Sequence, residues 1–204
     1  MDTRAHWNHV YTAKGENDVS WFETRPSESI RMIESAGLTS QSCVIDVGGG
    51  DSRLVDELAA RGLTCLAVLD VSDAALERAR TRLGKIAAAF TWIASDITGD
   101  WTTRPMDIWH DRAVFHFLVD PHDRAAYRQH LRQTVKINGT AVIATFALDG
   151  PTSCSGLPVS RYSPATLAAE IGDAFALVES REHLHHTPWG STQSFQYSRF
   201  TRLY

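Results

Sequence analysis

Five aspartates and three consecutive glycines carry most of the chemistry legible in this chain. In VIDVGGGDSRLVDEL (44–58) a short apolar run holds Asp46, breaks into Gly48, Gly49 and Gly50, then becomes amphipathic. Glycines there let the backbone turn sharply and come close to a ligand. Asp70 closes the next apolar run, LTCLAVLD (63–70), where a carboxylate can accept hydrogen bonds from both hydroxyls of a ribose. Asp96 closes AAFTWIASD (88–96), placed to accept from an adenine amino group. One acidic residue at each of three successive strand ends points to a ligand containing a nucleoside.

Two cofactors share that arrangement, a dinucleotide such as NAD and S-adenosylmethionine. The dinucleotide pattern is G-x-G-x-x-G, but residues 48–53 read Gly-Gly-Gly-Asp-Ser-Arg and lack the third glycine. Asp46 and Asp51 would repel a pyrophosphate, whereas they attract the ammonium and sulfonium of S-adenosylmethionine. The residues favour S-adenosylmethionine.

The elements that must hold these groups alternate. Helical patterns at 27–37, 52–62, 72–84, 120–139 and 164–172 separate strand-like runs at 43–48, 63–70, 88–96, 106–114 and 139–148. Ser72 and Asp120 stand at N-cap positions, with Pro121 at the first turn and Gly139 at the exit. The gap between Asp96 and Asp107 is too short for a full helix. Residues 149–163 are too rich in Gly, Pro and Ser for a regular element. Strands near 175–183 and 193–203, joined by TPWGS, form an antiparallel hairpin. The fold class is therefore α/β, a mostly parallel sheet covered by helices on both faces, with one reversed strand.

The whole chain of 204 residues reads as a single domain. Its net charge of -4 argues against broad binding to nucleic acid or to an anionic membrane. Cys43, Cys65 and Cys154 are widely spaced and odd in number, which suggests neither a disulfide framework nor a metal clip. The opening MDTRAHWNHV has no apolar stretch, and no run reaches membrane-span length. These features imply a reducing, cytoplasmic setting. Oligomeric state has no signal.

VIDVGGGDSRLVDEL, AVLDVS, ASDI and WHDRAVFHFL together resemble the motifs of the class I (Rossmann-like) S-adenosylmethionine-dependent methyltransferases over nearly the whole chain. The resemblance implies a seven-stranded sheet ordered 3-2-1-4-5-7-6 with strand seven antiparallel. HWNHVYTAKGENDVSWFE with GGGDSRLVDEL is similar to a subgroup that includes lysine methyltransferases of citrate synthase and elongation factor, and bacterial members of unassigned substrate. Gly49 replaces that subgroup's usual cysteine, and CSGLPVSRY after strand five has no match in the lysine enzymes. By position, Asp46, Gly48, Gly49 and Gly50, with Ser52, should surround the methionine moiety. Asp70 and Val71 should hold the ribose and the near edge of adenine, and Asp96 with Ile97 the adenine. Asp111 should approach the cofactor's amino group or the transferring methyl; its bland alternative is a cap on a turn.

Methyl transfer from a sulfonium needs alignment and exclusion of water above all. A lysine, alcohol or imidazolium acceptor must also lose a proton, whereas a thiolate or carboxylate need not. His116 is the candidate base, against an equal reading as a packed histidine, while His110 is expected to face the other side of its strand. Trp21 and Phe22 are expected to close over the cofactor as a lid, and Trp7 to pack on the sheet. Arg112, Cys154 and Arg161 are placed around the acceptor, with Arg161 suited to a carboxylate-bearing substrate. For the HLHH run (183–186) a metal role is the weaker reading, and none is assigned. The favoured function is methyl transfer to a small molecule. The alternatives are a protein lysine methyltransferase and a non-catalytic nucleotide-binding module.

Overall fold

The computed structural model describes residues 2–204. Two helices, α1 (Thr3–Ala13) and α2 (Ser27–Glu34), precede the alternating region. There follow β1 (Val44–Val47), α3 (Leu54–Ala60), β2 (Leu66–Asp70), α4 (Asp73–Leu83), β3 (Thr91–Ala94) and β4 (Met106–Arg112). The chain continues through α5 (Pro121–Thr134), β5 (Val135–Phe146), a miniature hairpin of β6 (Ser153–Cys154) and β7 (Leu157–Pro158), α6 (Pro164–Ile171), β8 (Phe175–His186) and β9 (Thr192–Arg202). The expected caps form. Ser72 Oγ accepts from the N–H of Ala75, and the Asp120 carboxylate from that of His122.

Seven strands make one sheet in the order β3-β2-β1-β4-β5-β9-β8. β9 runs antiparallel to both neighbours, and the other pairings are parallel. With the miniature hairpin left aside, this is the order 3-2-1-4-5-7-6 that the motifs implied. Apolar layers cover both faces: Ile45, Trp109, Tyr127 and Phe200 lie in one, Val44, Ile108, Phe146 and Phe195 in the other. β1 is buried along its length because it carries apolar side chains toward both layers.

Three local expectations change. The helix read over 120–139 stops at Thr134, because Val135 already pairs with Met106 and Asn138 takes a left-handed φ of 64°. That leaves a bulge at 136–139 before the regular pairing of Ile108 with Thr140. The segment read as irregular contains the β6–β7 hairpin. Cys43 and Cys65, which suggested no disulfide framework, are joined by a disulfide. They sit at the N-terminal ends of neighbouring parallel strands, a proximity that sequence separation conceals. The pairing removes free thiols as support for a reducing compartment. No helix among the described residues is long and apolar enough to cross a membrane.

Candidate active site

The chain leaves β1 for β2 on one side and returns through β4 on the other, so a crevice opens at the C-terminal ends of these strands. A cavity of about 570 Å³ lies there. Beside it a smaller hollow of about 60 Å³ is bounded by Asp46, Gly49, His110 and Phe22. Trp21, Tyr11, Gly48 and Arg112 border both.

The glycines are required by contact as well as by turn geometry. A Cβ on Gly49 would stand 2.6 Å from Asp46 Oδ2 and 2.9 Å from Val68 Cγ1. On Gly50 it would stand 2.6 Å from Asp70 Oδ2, and on Gly48, at φ 64°, only 2.0 Å from Val114 Cγ2. The loop therefore runs directly over two carboxylates. Ser52 borders the smaller hollow, but its hydroxyl is engaged by the N–H of Leu54. Asp51 turns away to the guanidinium groups of Arg82 and Arg78.

Asp70, Val71, Asp96 and Ile97 all border the large cavity. Asp70 is buried and accepts from the N–H of Ser72 at 2.8 Å. Burial pushes its pKa up to about 7, helped by the charge of Asp46 and opposed by backbone N–H donors. Asp96 Oδ1 is fixed by the N–H and hydroxyl of Thr98 at 2.9 and 2.8 Å. Asp46 accepts from His110 Nδ1 at 2.7 Å, while its Oδ2 and His110 Nε2 have no partner.

Four of the expected groups lie elsewhere than the functional reading placed them, Asp111 as a cap and His116 as a packed histidine in line with their alternatives. Asp111 does not approach the cavity. Its oxygens accept from the N–H groups of Val114 and Phe115 at 2.9 and 3.1 Å and from the Tyr127 hydroxyl at 2.7 Å. It holds the turn that Ala113, at a left-handed φ of 71°, begins. Burial raises its pKa to about 6. His110, expected on the far face, instead shares a face with Asp46, its lateral neighbour in the β1–β4 pairing. His116 is fully buried off the cavity wall, its Nδ1 accepting from the N–H of Phe146. Burial, with Arg112 nearby, lowers its pKa to about 3, which keeps it neutral. Arg161 is exposed and ties the loop to itself, donating to the carbonyls of Leu148 and Gly150.

Arg112 and Cys154 do reach the cavity. Arg112 donates from Nε to Tyr197 Oη at 3.1 Å and from Nη1 to the Trp21 carbonyl at 2.9 Å. Its Nη2 lies 3.4 Å from Glu23 Oε1 and makes no hydrogen bond. Burial opposes its charge, but Tyr197 and Glu23 beside it hold its pKa above the ordinary arginine value. Burial raises the Cys154 thiol, against the pull of Ser20 and Arg112. The segment carrying Trp21 is pinned from below, since His185 Nε2 donates to the Ser20 carbonyl at 2.6 Å. His185 and His183 both face Glu23, at 3.3 and 3.8 Å. Burial alone would raise the Glu23 pKa, but Arg112 and His185 hold it low.

Trp21 stacks edge-on against Trp7 and Tyr11 and covers the crevice, whereas Phe22 borders only the smaller hollow. Trp7, read as packing, is itself on the cavity wall. Sequence reasoning passed over Phe146, Gln193 and Phe195, which complete that wall. Their signal was position: β5 ends and β9 begins at the crevice, across the Phe146–Phe195 pairing.

A model of a family described as a methyltransferase domain matches residues 45–141. EEF1A lysine methyltransferase 2 of Danio rerio is 25% identical over 160 residues, which cover 71% of this chain and 69% of that protein. The N-methyltransferase NodS from Bradyrhizobium japonicum WM9, solved with S-adenosyl-L-homocysteine, superposes with a TM-score of 0.72 at 19% identity, covering 96% of this chain and 97% of NodS. A Burkholderia thailandensis 1,6-didemethyltoxoflavin-N1-methyltransferase, solved with 1,6-didemethyltoxoflavin and S-adenosylhomocysteine, gives a TM-score of 0.72 at 15% identity, covering 98% and 87%. At these identities the superpositions establish a shared fold.

Proposed function

We propose that the chain is a class I, S-adenosylmethionine-dependent methyltransferase that methylates a small molecule held in the cavity beneath Trp21, a reading supported by the methyltransferase-domain match over residues 45–141 and by the fold shared with NodS. The supporting observation is the cavity's second half, walled by Trp7, Trp21, Phe146 and Phe195 and roofed by the pinned 20–23 segment. An aromatic-walled cavity suits a small acceptor.

The residues present fit the cofactor. Gly48 and Gly49 present bare backbone to the hollows, and Asp46 offers an unpartnered buried oxygen to an ammonium. Asp70 would accept from the ribose hydroxyls and Asp96 from the adenine amino group, with Val71 and Ile97 against the base. When bound, S-adenosylmethionine supplies an electrophilic methyl on a sulfonium. The chain's own residues then bind, orient and keep water out. Trp21 is assigned to covering the reacting centre, and Arg112 and Cys154 to the acceptor's side.

A protein lysine acceptor is the second reading, favoured by the Danio rerio relative. Radiolabelled methyl transfer into a cell extract, separated by size, tests between them. Label in the small-molecule fraction is expected, and label confined to one protein band would restore the lysine reading.

A further inference from the structure

We propose that His110 is the general base of methyl transfer, taking a proton from an acceptor amine or hydroxyl through Nε2, with Asp46 as its positioning residue. This rests on the methyl-transfer reading above and names the group that readies the acceptor.

Asp46 and His110 are lateral neighbours on β1 and β4, exposed by only 4% and 2%. Asp46 Oδ1 accepts from Nδ1 at 2.7 Å, so in the neutral ring Nδ1 carries the proton and Nε2 keeps a lone pair. That Nε2 is buried without a partner, and the residue borders the smaller hollow. A buried polar atom left unpaired is costly unless a ligand completes it. His116 also has an unpartnered Nε2, but it borders neither hollow. Tyr11, Trp21, Gly48 and Arg112 border both, so the smaller hollow meets the larger beside the glycine loop. Its volume of about 60 Å³ has room for an acceptor's reacting group or for one bridging water.

Among the described residues, His110 is the one imidazole on either wall. The carboxylates there are otherwise engaged or weaker bases. Asp70 and Asp96 are assigned to the nucleoside. Burial pushes Glu23 up, but Arg112 and His185 hold it below the usual carboxylate range. Glu16 pairs with Arg53, and Asp51 with Arg82 and Arg78. Asp123 is half-buried in the first turn of α5, and a carboxylate is a weaker base than an imidazole. Burial raises Tyr11 and Cys154, so each stays protonated. The Asp46 carboxylate on Nδ1 fixes the tautomer and stabilises the imidazolium that forms, against the charge of Arg112 two residues along β4.

In the step itself the acceptor nitrogen or oxygen attacks the methyl carbon in line, and its proton passes to Nε2. The bond from the methyl to the sulfonium sulfur breaks, and its electron pair stays on the sulfur of S-adenosylhomocysteine. The positive charge thus moves from sulfonium to imidazolium, which then returns its proton to water.

His110→Asn tests this, because it keeps a donor for Asp46 Oδ1 and removes Nε2. The acceptor is the small-molecule fraction of a cell extract, with saturating radiolabelled S-adenosylmethionine. Labelling should fall at least about 100-fold while affinity for S-adenosylhomocysteine, read by calorimetry, stays within about twofold. Equal labelling by the folded variant overturns the assignment. A parallel loss of cofactor affinity makes His110 a cofactor ligand and overturns it too. Wild-type labelling should fall as pH drops through the histidine range, and the variant's residual labelling should not; profiles of the same shape contradict a base at His110. Nitrogen NMR of the S-adenosylhomocysteine complex should show the neutral His110 ring protonated at Nδ1, whereas an Nε2-protonated ring leaves no lone pair for the acceptor and sinks the proposal. Label found only in protein overturns the small-molecule reading, and the same variant comparison on that band then decides on His110. Label in neither fraction removes the methyl-transfer reading and the base with it.

Discussion

Affinity for S-adenosylhomocysteine should depend on pH through Asp70. In the free protein, burial holds this carboxyl at about 7, against an ordinary 3.8. At about 1.4 kcal/mol per pH unit, its surroundings, burial above all, disfavour the ionised form by about 4 kcal/mol net. Ribose hydroxyls donating to the carboxylate stabilise that form, so binding lowers the Asp70 pKa and releases a proton. The sign follows: affinity is full above about pH 7 and falls as pH drops through it. At pH 5 only about 1% of free Asp70 is ionised, so the loss approaches about 100-fold. Isothermal titration calorimetry from pH 5 to 8.5 reads this directly, with circular dichroism to confirm that the protein stays folded. Asp70→Asn should bind weakly at every pH and lose the dependence. A flat profile in folded wild type, or an unchanged slope in Asp70→Asn, would refute the ribose assignment.

Gly49→Val should abolish cofactor binding, because its side chain must displace Asp46 or Val68; a ligand-induced rise in melting temperature equal to that of wild type would contradict this. Asp111→Ala should cost about 3 kcal/mol or more of stability in urea, since Val114 N–H, Phe115 N–H and Tyr127 Oη lose their acceptor. His116 is held at about 3 against an ordinary 6.5, so its contribution is present above pH 6.5 and is lost as pH falls toward 3. By pH 5 that amounts to about 2 kcal/mol, and His116→Leu should show a flatter urea-stability profile between pH 7.5 and 5. Arg161→Ala should leave cofactor affinity and acceptor KM within about twofold, as its contacts are the carbonyls of its own loop; a large rise in KM would put it back at the acceptor.

The sheet was legible because each strand and helix carries its own period, and TPWGS is too short for a crossover. The glycines and the strand-end acids were legible because chain-local rules place them at one edge of the sheet. What stayed hidden depends on pairs. Alternation says that His110 and Asp111 face opposite sides but not which side holds Asp46; the β1–β4 register decides that. Arg161 and Arg112 look alike in sequence, and only the path of the loop after β5 shows that one binds its own backbone while the other enters the cavity. The Cys43–Cys65 disulfide likewise follows from two strands starting side by side.

A crystal structure with S-adenosylhomocysteine tests most directly whether this crevice is the methyl-transfer site. The ribose is expected on Asp70, the adenine beside Asp96 and Ile97, the amino-acid end over Gly48 to Gly50, and the sulfur facing the chamber of Trp21, Arg112 and Cys154. A ligand bound elsewhere, or with its sulfur directed away from that chamber, would contradict the assignment.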